Sequence, residues 1–157
     1  MKTKFMMMVA CAAMLLATGC KDEKQNQAEA IIGNVSKPTW VAPESYDMSS
    51  SMTAIVGIDL TSVYTAEQLA AVNYQRSSDD LLAAFAGETC LGVGKWLDEA
   101  SAYWLFIAAP ENASAITIKH YSASLKHVFV SESIPYNNGA NLGTVDVPYN
   151  PKWTVAQ

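Results

Sequence analysis

Cys20 is the residue that most constrains what this chain can fold into. It follows two lysines, Lys2 and Lys4, an apolar run from Phe5 to Leu16, and the small residues Ala17-Thr18-Gly19. A basic head, a short apolar stretch and small residues before a cysteine are typical of a lipoprotein signal peptide, which is cut before the cysteine so that palmitate-type acyl chains can be attached. We therefore predict a signal peptide over residues 1–19 and a lipidated Cys20, although Ala17 stands where this motif usually has Leu.

A transmembrane helix is the alternative interpretation of the same segment. The apolar run is twelve residues long, whereas roughly 20 are needed to cross a bilayer. Small residues directly before Cys20 also suit a signal peptidase better than a membrane interface. We therefore expect the segment to be removed from the folded protein.

The three cysteines leave no pair for an intramolecular disulfide. Cys11 departs with the signal peptide and Cys20 is acylated, so Cys90 is the remaining thiol. A lone cysteine in an apolar stretch is predicted to be a small buried hydrophobe. A nucleophilic thiolate would need a histidine and an electropositive pocket, and nothing in the sequence places His120 or His127 beside it. The fold must therefore be stable without a disulfide.

Residues 20–37 are predicted to form a flexible tether, because they begin with a polar sequence that lacks strand and turn signals. Within it, Lys21, Asp22 and Glu23 resemble the export signal that sends lipoproteins to the outer face of the outer membrane in some gut and oral Gram-negative bacteria. We predict an outer-membrane protein that is lipid-anchored and faces the cell exterior. A plain linker on the periplasmic leaflet is the alternative.

Residues 38–157 have the size of a single domain. After the loss of Lys2 and Lys4, the mature chain carries eight basic and fifteen acidic residues, a net charge of −7. No basic stripe is present, which argues against a nucleic acid partner.

Short β-type segments separated by turn signals predict an all-β fold, an antiparallel β-sandwich of immunoglobulin-like size. The segment 81–86 has high helix propensity, but Gly87 ends it after six residues, a length that suits a strand. Pro148 and Pro151 predict that the C-terminal segment lies at a sheet edge or outside the sheet. The predicted strands cover residues 52–60, 81–86, 89–95, 103–108, 115–121 and 125–131.

One short helix is predicted near residues 66–73, because Thr65 and Gln68 have the spacing of a capping box. A loop is the alternative, since the apolar stripe is short. In the last two predicted strands, a three-residue turn would place Ile116, Ile118, Val128 and Val130 on one face of a hairpin. The same register would put His120 and His127 on opposite faces, where they could not share a metal ion.

The block from Asp80 to Val93, with the pattern Asp-x-x-Ala-Ala-Phe-x-Gly-x-x-Cys-x-Gly-Val, resembles a module of secreted proteins, surface proteins and lipoproteins of gut and oral Gram-negative bacteria. Looser matches bring the resemblance to about residues 40–153. Thr89 and Leu91 depart from the usual Glu and Arg of the module. The resemblance implies an extracellular β-sandwich-like module without an established activity.

Acidic residues flank the predicted strand at 81–86, namely Asp79, Asp80 and Glu88. A glycosidase would need two carboxylates held across a cleft, and a calcium site would need a loop of oxygen ligands. Acidic residues at strand ends are more often solvated turn formers. The sequence has no Ser-His-Asp arrangement, phosphate-binding loop or zinc cluster, so we expect no catalytic residue, metal or cofactor.

Aromatic residues are the other candidates for a site. Most are expected to pack in the core or at its rim, but Tyr136, Tyr149 and Trp153 lie in a polar, turn-rich segment and are the candidate glycan-binding residues. Tyr103 and Trp104 must point to opposite faces of their strand. We expect a non-enzymatic surface module that binds another macromolecule, a surface protein or polysaccharide, or serves in a surface assembly. A glycan-binding module is the alternative.

Overall fold

The computed structural model describes residues 31–45 and 47–156, which form two β-sheets around a shared core. This confirms the predicted all-β sandwich. The elements are helix α1 (Ala66–Ala71), a 3-10 turn (Leu60–Ser62), and strands β1 (Met52–Val56), β2 (Leu81–Ala86), β3 (Thr89–Val93), β4 (Lys95–Leu97), β5 (Ala102–Ile107), β6 (Ala115–Ser122), β7 (His127–Ser131), β8 (Ile134–Pro135), β9 (Asn141–Leu142) and β10 (Trp153–Val155).

The first sheet has the strand order β4-β5-β1-β9, and the second has β10-β7-β6-β2-β3, with the short β8 paired to β6. The paired strands of the described residues are antiparallel as predicted, except that β9 runs parallel to β1. Strand β10 lies at an edge of the second sheet. This confirms the edge position predicted from Pro148 and Pro151.

Alternate residues of β1 and β5 point into the space between the sheets, as the two-residue period of a strand requires. The next residue after Tyr103, Trp104, faces outward and is 40% exposed, which confirms the predicted opposite orientation of the two aromatic rings. Buried residues of the two strands form the cross-strand pairs Met52–Ile107, Ala54–Leu105 and Val56–Tyr103.

The second sheet is covered on both faces at β2, which explains the continuous apolar sequence of this strand. Leu82 and Ala84 join the core between the sheets. On the other face, Phe85 packs edge-to-face against Trp40, with ring centroids 5.6 Å apart. Trp40 belongs to residues 31–45, which we call the strap. Because burial on both faces favours apolar residues throughout a strand, the run that propensity alone would make helical is a strand.

The strap is hydrogen-bonded to the turn between β6 and β7. The amide of Gly33 donates to the carbonyl of Leu125 at 2.8 Å, and the amide of Val35 donates to that of Lys126 at 3.0 Å. Ile31 is 2% exposed and belongs to the core. The tether predicted to extend to residue 37 is therefore too long at its C-terminal end, because the apolar side chain of Ile31 already packs on the domain.

Helix α1 begins at the predicted capping box. The Thr65 hydroxyl accepts a hydrogen bond from the Gln68 amide at 3.2 Å, and the Gln68 side chain accepts one from the Thr65 amide at 2.9 Å. The half-buried Leu69 packs against the core. The short helix is therefore confirmed, and its last residue is Ala71.

The β6–β7 hairpin has a different register from the one predicted. Ser122 pairs with His127 and His120 pairs with Phe129, so the turn contains the four residues 123–126. Paired residues point to the same side of a sheet. His120 and His127 therefore lie on the same face, one on each side of Phe129, and the prediction of opposite faces is wrong.

The turn itself accounts for this register. The Ser122 hydroxyl accepts a hydrogen bond from the Leu125 amide at 3.3 Å, and Lys126 adopts a left-handed backbone conformation with φ of 52°. Leu125 is fully buried. In this register Phe129, rather than its two valine neighbours, enters the core, and an aromatic ring buries more apolar surface than a valine.

The connection from β3 to β4 carries the chain from the second sheet to the first. At Gly92 a Cβ atom would overlap the carbonyl oxygen of Phe106, so only glycine fits this close approach. The amide of Gly94 then donates to the carbonyl of Leu82 at 2.7 Å, and β4 begins at the next residue. This crossing places Trp96 of β4 beside the start of β2, where the candidate site lies.

Candidate functional site

The residues predicted to act in membrane attachment and export, Cys20, Lys21, Asp22 and Glu23, lie outside the described residues. The predicted glycan-binding residues are not equally accessible. Trp153 is 2% exposed, so it cannot belong to a surface platform. Its backbone is held in β10 by Ser131 of β7, and its ring packs 6.0 Å from the ring of His120. A large aromatic side chain at an edge strand is here part of the core.

Tyr136 and Tyr149 are half-buried, and each hydroxyl already has a partner. Tyr136 donates to the carbonyl of Ser50, and Tyr149 donates to the carboxylate of Glu132 at 2.8 Å. Burial and the bond to Glu132 raise the pKa of Tyr149 to about 12. Together with the buried Trp153, these placements exclude the exposed three-residue platform that the sequence suggested.

A different group of residues forms a polar pocket where β2, β4 and β6 come together. Its volume is about 220 Å³. Two of its residues, Asp80 and His120, are buried, whereas Gln75, Arg76 and Ser101 are exposed at its mouth. We call this cavity the His120 pocket, and it is lined by Ile58, Tyr74, Gln75, Arg76, Asp80, Trp96, Ser101 and His120.

His120 forms the floor of the pocket and is fully buried. Its Nδ1 lies 3.1 Å from the carbonyl oxygen of Leu81. Since a carbonyl can only accept, Nδ1 carries the proton and Nε2 presents a lone pair. Burial lowers the pKa of His120 from 6.5 to about 4, while the negative charge of Asp80 opposes this shift. At neutral pH the ring is therefore an uncharged hydrogen-bond acceptor.

Three buried polar atoms of the described residues have no hydrogen-bond partner: His120 Nε2, the Tyr103 hydroxyl and Trp153 Nε1. They are close neighbours, because the rings of Tyr103 and Trp153 lie 6.2 and 6.0 Å from that of His120. Leaving a buried donor or acceptor unpaired costs about 1–3 kcal/mol. Of these three residues, His120 also lines the pocket, and core packing alone does not explain a buried acceptor without a partner.

Asp80 supplies a fixed carboxylate to the same pocket. One oxygen accepts the amide of Ser77 at 2.9 Å and the other accepts the amide of Ala123 at 2.8 Å. These bonds join the loop before β2 to the turn after β6. Each carboxylate oxygen can accept more than one hydrogen bond, so Asp80 keeps capacity for a further donor.

Arg76 and Trp96 form the outer wall. The guanidinium of Arg76 lies 4.0 Å from the centroid of the Trp96 ring and donates to the carbonyl of Ser77 at 2.9 Å. The Trp96 indole donates to the carboxylate of Asp98 at 2.8 Å and packs edge-to-face against Tyr103. Both side chains are therefore held in place, and Arg76 retains free donors at the mouth of the pocket.

The tyrosines of this region stay protonated at neutral pH. Burial raises the pKa of Tyr74, and the nearby charge of Asp80 adds to the effect. Burial also raises the pKa of Tyr103, although Arg76 acts in the opposite direction. Their hydroxyls can therefore donate as well as accept hydrogen bonds.

A larger groove of about 530 Å³ lies along β3, between residues 86–91 and 108–113. Small side chains dominate it, and it contains none of the three residues with unpartnered atoms, whereas one of them, His120, lines the smaller pocket. Cys90 lines the groove and is half-buried, so the prediction of a small buried hydrophobe is only partly met. Burial raises the pKa of its thiol, which disfavours a reactive thiolate. We therefore take the smaller His120 pocket as the candidate site.

The pocket residues were not recognised from the sequence, although one signal was available. Arg76 is the only arginine of the chain, and it stands in a polar segment between Tyr74 and Asp80. A single arginine beside an aromatic residue and directly before a buried strand is a site candidate, since arginine stacks on rings and makes directional hydrogen bonds. Trp96 and His120 reach the pocket only through the crossing from β3 to β4 and the register of the β6–β7 hairpin, which the sequence does not reveal.

Residues 31–45 and 47–156 contain no cluster of three metal-ligating side chains. In the same part of the chain, no helix has the length and apolar character needed to cross a membrane. Protein-family models, curated proteins and solved structures gave no match to the chain. The resemblance noted in the sequence therefore stays a prediction.

Proposed function

We propose that this protein is an outer-membrane lipoprotein facing the cell exterior, and that its β-sandwich is a non-enzymatic binding module for a surface partner. The anchor is proposed from the sequence around Cys20, and the outward orientation from Lys21, Asp22 and Glu23. The binding role is proposed from the folded domain, residues 31–45 and 47–156.

The His120 pocket is the observation that supports the binding role. It combines buried polar groups at its floor, Asp80 and His120, with an aromatic wall and exposed polar residues at its mouth. Specific ligand sites are typically cavities with a few well-placed polar groups. The fixed positions of Arg76, Trp96 and Asp80 favour recognition because little side-chain freedom is lost when a ligand binds.

The same residues argue against catalysis. Asp80 is the single carboxylate that lines the pocket, whereas glycoside hydrolysis by the common mechanisms uses two. The lowered pKa of His120 makes its ring a weak base at neutral pH. Turnover of any glycoside or ester by the purified protein would overturn this part of the proposal.

Glycan binding is the second candidate, favoured by the aromatic wall beside exposed hydrogen-bonding groups. A glycan array probed with the purified full chain tests it. We expect binding that is lost in Trp96→Ala and kept in Trp104→Ala, which removes an exposed tryptophan outside the pocket. Array binding that survives Trp96→Ala, or a protein partner that binds elsewhere on the domain, would favour the broader surface-assembly role.

The anchor is tested separately from the pocket. We expect Cys20→Ala to give an unprocessed or released protein, measured by membrane fractionation and by the mass of the mature chain. Unchanged membrane partitioning of this variant contradicts the lipid anchor. Replacing Lys21, Asp22 and Glu23 by alanine should reduce the fraction cleaved by external protease on intact cells, and an unchanged fraction contradicts the export signal.

A further inference from the structure

We propose that the His120 pocket binds one neutral, polyhydroxylated unit of the size of a single sugar residue. This inference rests on the proposed binding function and names the chemical class of its ligand. It assigns the ligand to Asp80, Arg76 and Ser101 instead of to Tyr136, Tyr149 and Trp153, the residues that the sequence suggested.

The charge balance of the pocket selects a neutral ligand. Arg76 and Asp80 are the two charged residues in its lining, and their charges are opposite. A ligand with a net charge would meet a repelling group as well as an attracting one in the same small cavity. The buried floor adds no compensating charge, because burial keeps His120 neutral.

The hydrogen-bonding groups of the pocket match hydroxyls. Asp80 can only accept, and the remaining Arg76 protons can only donate. The Ser101 hydroxyl and the Gln75 amide can do both. A hydroxyl is both donor and acceptor, so a ligand with several hydroxyls around one ring can satisfy all of these groups, whereas a carboxylate has no donor for Asp80.

Size and shape limit the ligand to one ring. The cavity of about 220 Å³ lies below the range of roughly 300–1,000 Å³ that is common for drug-sized ligands. Ile58 and Trp96 give it apolar walls that can contact the C–H faces of a sugar. A longer glycan would therefore enter with one terminal or protruding residue and leave the rest in solvent.

The experiment is calorimetric titration of the purified full chain. The probes are glucose, galactose, mannose and N-acetylglucosamine, with glucosamine and glucuronic acid as analogues of glucose that carry a charge. For a ligand of this size we expect a Kd on the order of 1 mM for at least one neutral sugar. The charged analogue of a bound sugar should bind about tenfold more weakly, because one ligand charge faces a like charge.

Two variants test the site and one serves as control. Trp96→Ala removes a wall, and Ser101→Gly removes a hydroxyl at a residue with φ of 46°, a conformation that glycine adopts readily. We expect each to weaken sugar binding about tenfold, the effect of losing one good contact. Trp104→Ala removes an outward-facing tryptophan of β5 and should leave the Kd unchanged. Circular dichroism of each variant verifies the fold.

The outcomes separate this inference from the function on which it rests. Binding of a neutral sugar that both site variants weaken, with the control unchanged, supports the inference. Two outcomes overturn the ligand class but leave a binding module. The first is stronger binding of glucosamine or glucuronic acid than of the neutral sugars. The second is array binding that Trp96→Ala abolishes although no sugar of the calorimetric panel binds. Sugar binding that neither site variant affects overturns the pocket assignment. No binding in either assay overturns this inference and the glycan-binding candidate, and leaves a protein as the partner of the proposed binding module.

Discussion

Acidification is expected to destabilise this domain through His120 at pH values where exposed carboxylates are still ionised. In the unfolded chain the histidine has an ordinary pKa of 6.5, and burial lowers the pKa to about 4 in the folded protein. Between these values the unfolded state binds more protons than the folded state. The free energy of unfolding is therefore highest above pH 6.5 and falls as the pH drops toward 4.

The magnitude follows from the difference of 2.5 between the two pKa values. At about 1.4 kcal/mol per pKa unit, His120 accounts for a loss of about 2 kcal/mol by pH 5 and about 3 kcal/mol by pH 4. A small domain has a free energy of unfolding of roughly 5–15 kcal/mol, so this single residue produces a readily measured change.

The assay is urea unfolding of wild type and His120→Phe at pH 7, 6, 5 and 4. Equal m-values, the slopes of the free energy of unfolding against urea concentration, verify that both proteins expose a similar surface on unfolding. Phenylalanine has a similar shape and does not titrate. It loses the hydrogen bond to the Leu81 carbonyl but also removes the unpartnered Nε2, and because these effects oppose each other we expect a difference of about 1 kcal/mol at pH 7. As the pH falls, wild type should lose more stability than the variant.

The contributions of titrating groups that do not interact with His120 cancel in this comparison. Hydrogen bonds lower the pKa of the accessible carboxylates Asp47, Asp59, Glu67 and Asp79. Their stabilising contributions are lost only at lower pH and are the same in both proteins. Parallel pH dependences of wild type and His120→Phe between pH 7 and 5 would refute the assignment of the acid sensitivity to His120.

Three further changes test the packing. Trp153→Ala should destabilise the domain by about 3–5 kcal/mol in urea unfolding, and a loss below 1 kcal/mol would contradict the burial of this ring. Gly92→Ala should lower the melting temperature strongly because its methyl group overlaps the Phe106 carbonyl, whereas Gly87→Ala, with open space around it but φ of 59°, should have the smaller effect. Thr65→Ala removes the helix cap and should cost about 1 kcal/mol, with Thr65→Ser expected to restore most of the stability.

The fold class could be read from the sequence because the six strands of five residues or more (β1, β2, β3, β5, β6 and β7) each carry a local signal. The segment 81–86 is too short for a stable helix, and Gly87 with φ of 59° ends it in a turn. The capping box at Thr65 likewise defines the start of α1 within four residues of sequence. Local conformational preferences therefore agree with the final structure in these places.

The hairpin register and the site could not be read in the same way, because they depend on contacts between distant residues. The choice between a three-residue and a four-residue turn is decided by the burial of Leu125 and Phe129 against the opposite sheet. A register shift of one residue moves every side chain of a strand to the opposite face of the sheet, which is why the predicted register placed His120 and His127 on opposite faces. The pocket then combines residues from Ile58 to His120 that meet only after both sheets have formed.

The strap also determines how the domain would respond to a pulling force. If the chain is held at Cys20, as we propose, tension along the polypeptide reaches residues 31–45 before it reaches any strand, since β1 begins at Met52. The hydrogen bonds from the Gly33 and Val35 amides to the β6–β7 turn would bear the load one after the other. The strap would then peel away first and uncover Phe85, while both sheets kept their pairing. Mechanical extension of such a surface protein would therefore proceed in two stages.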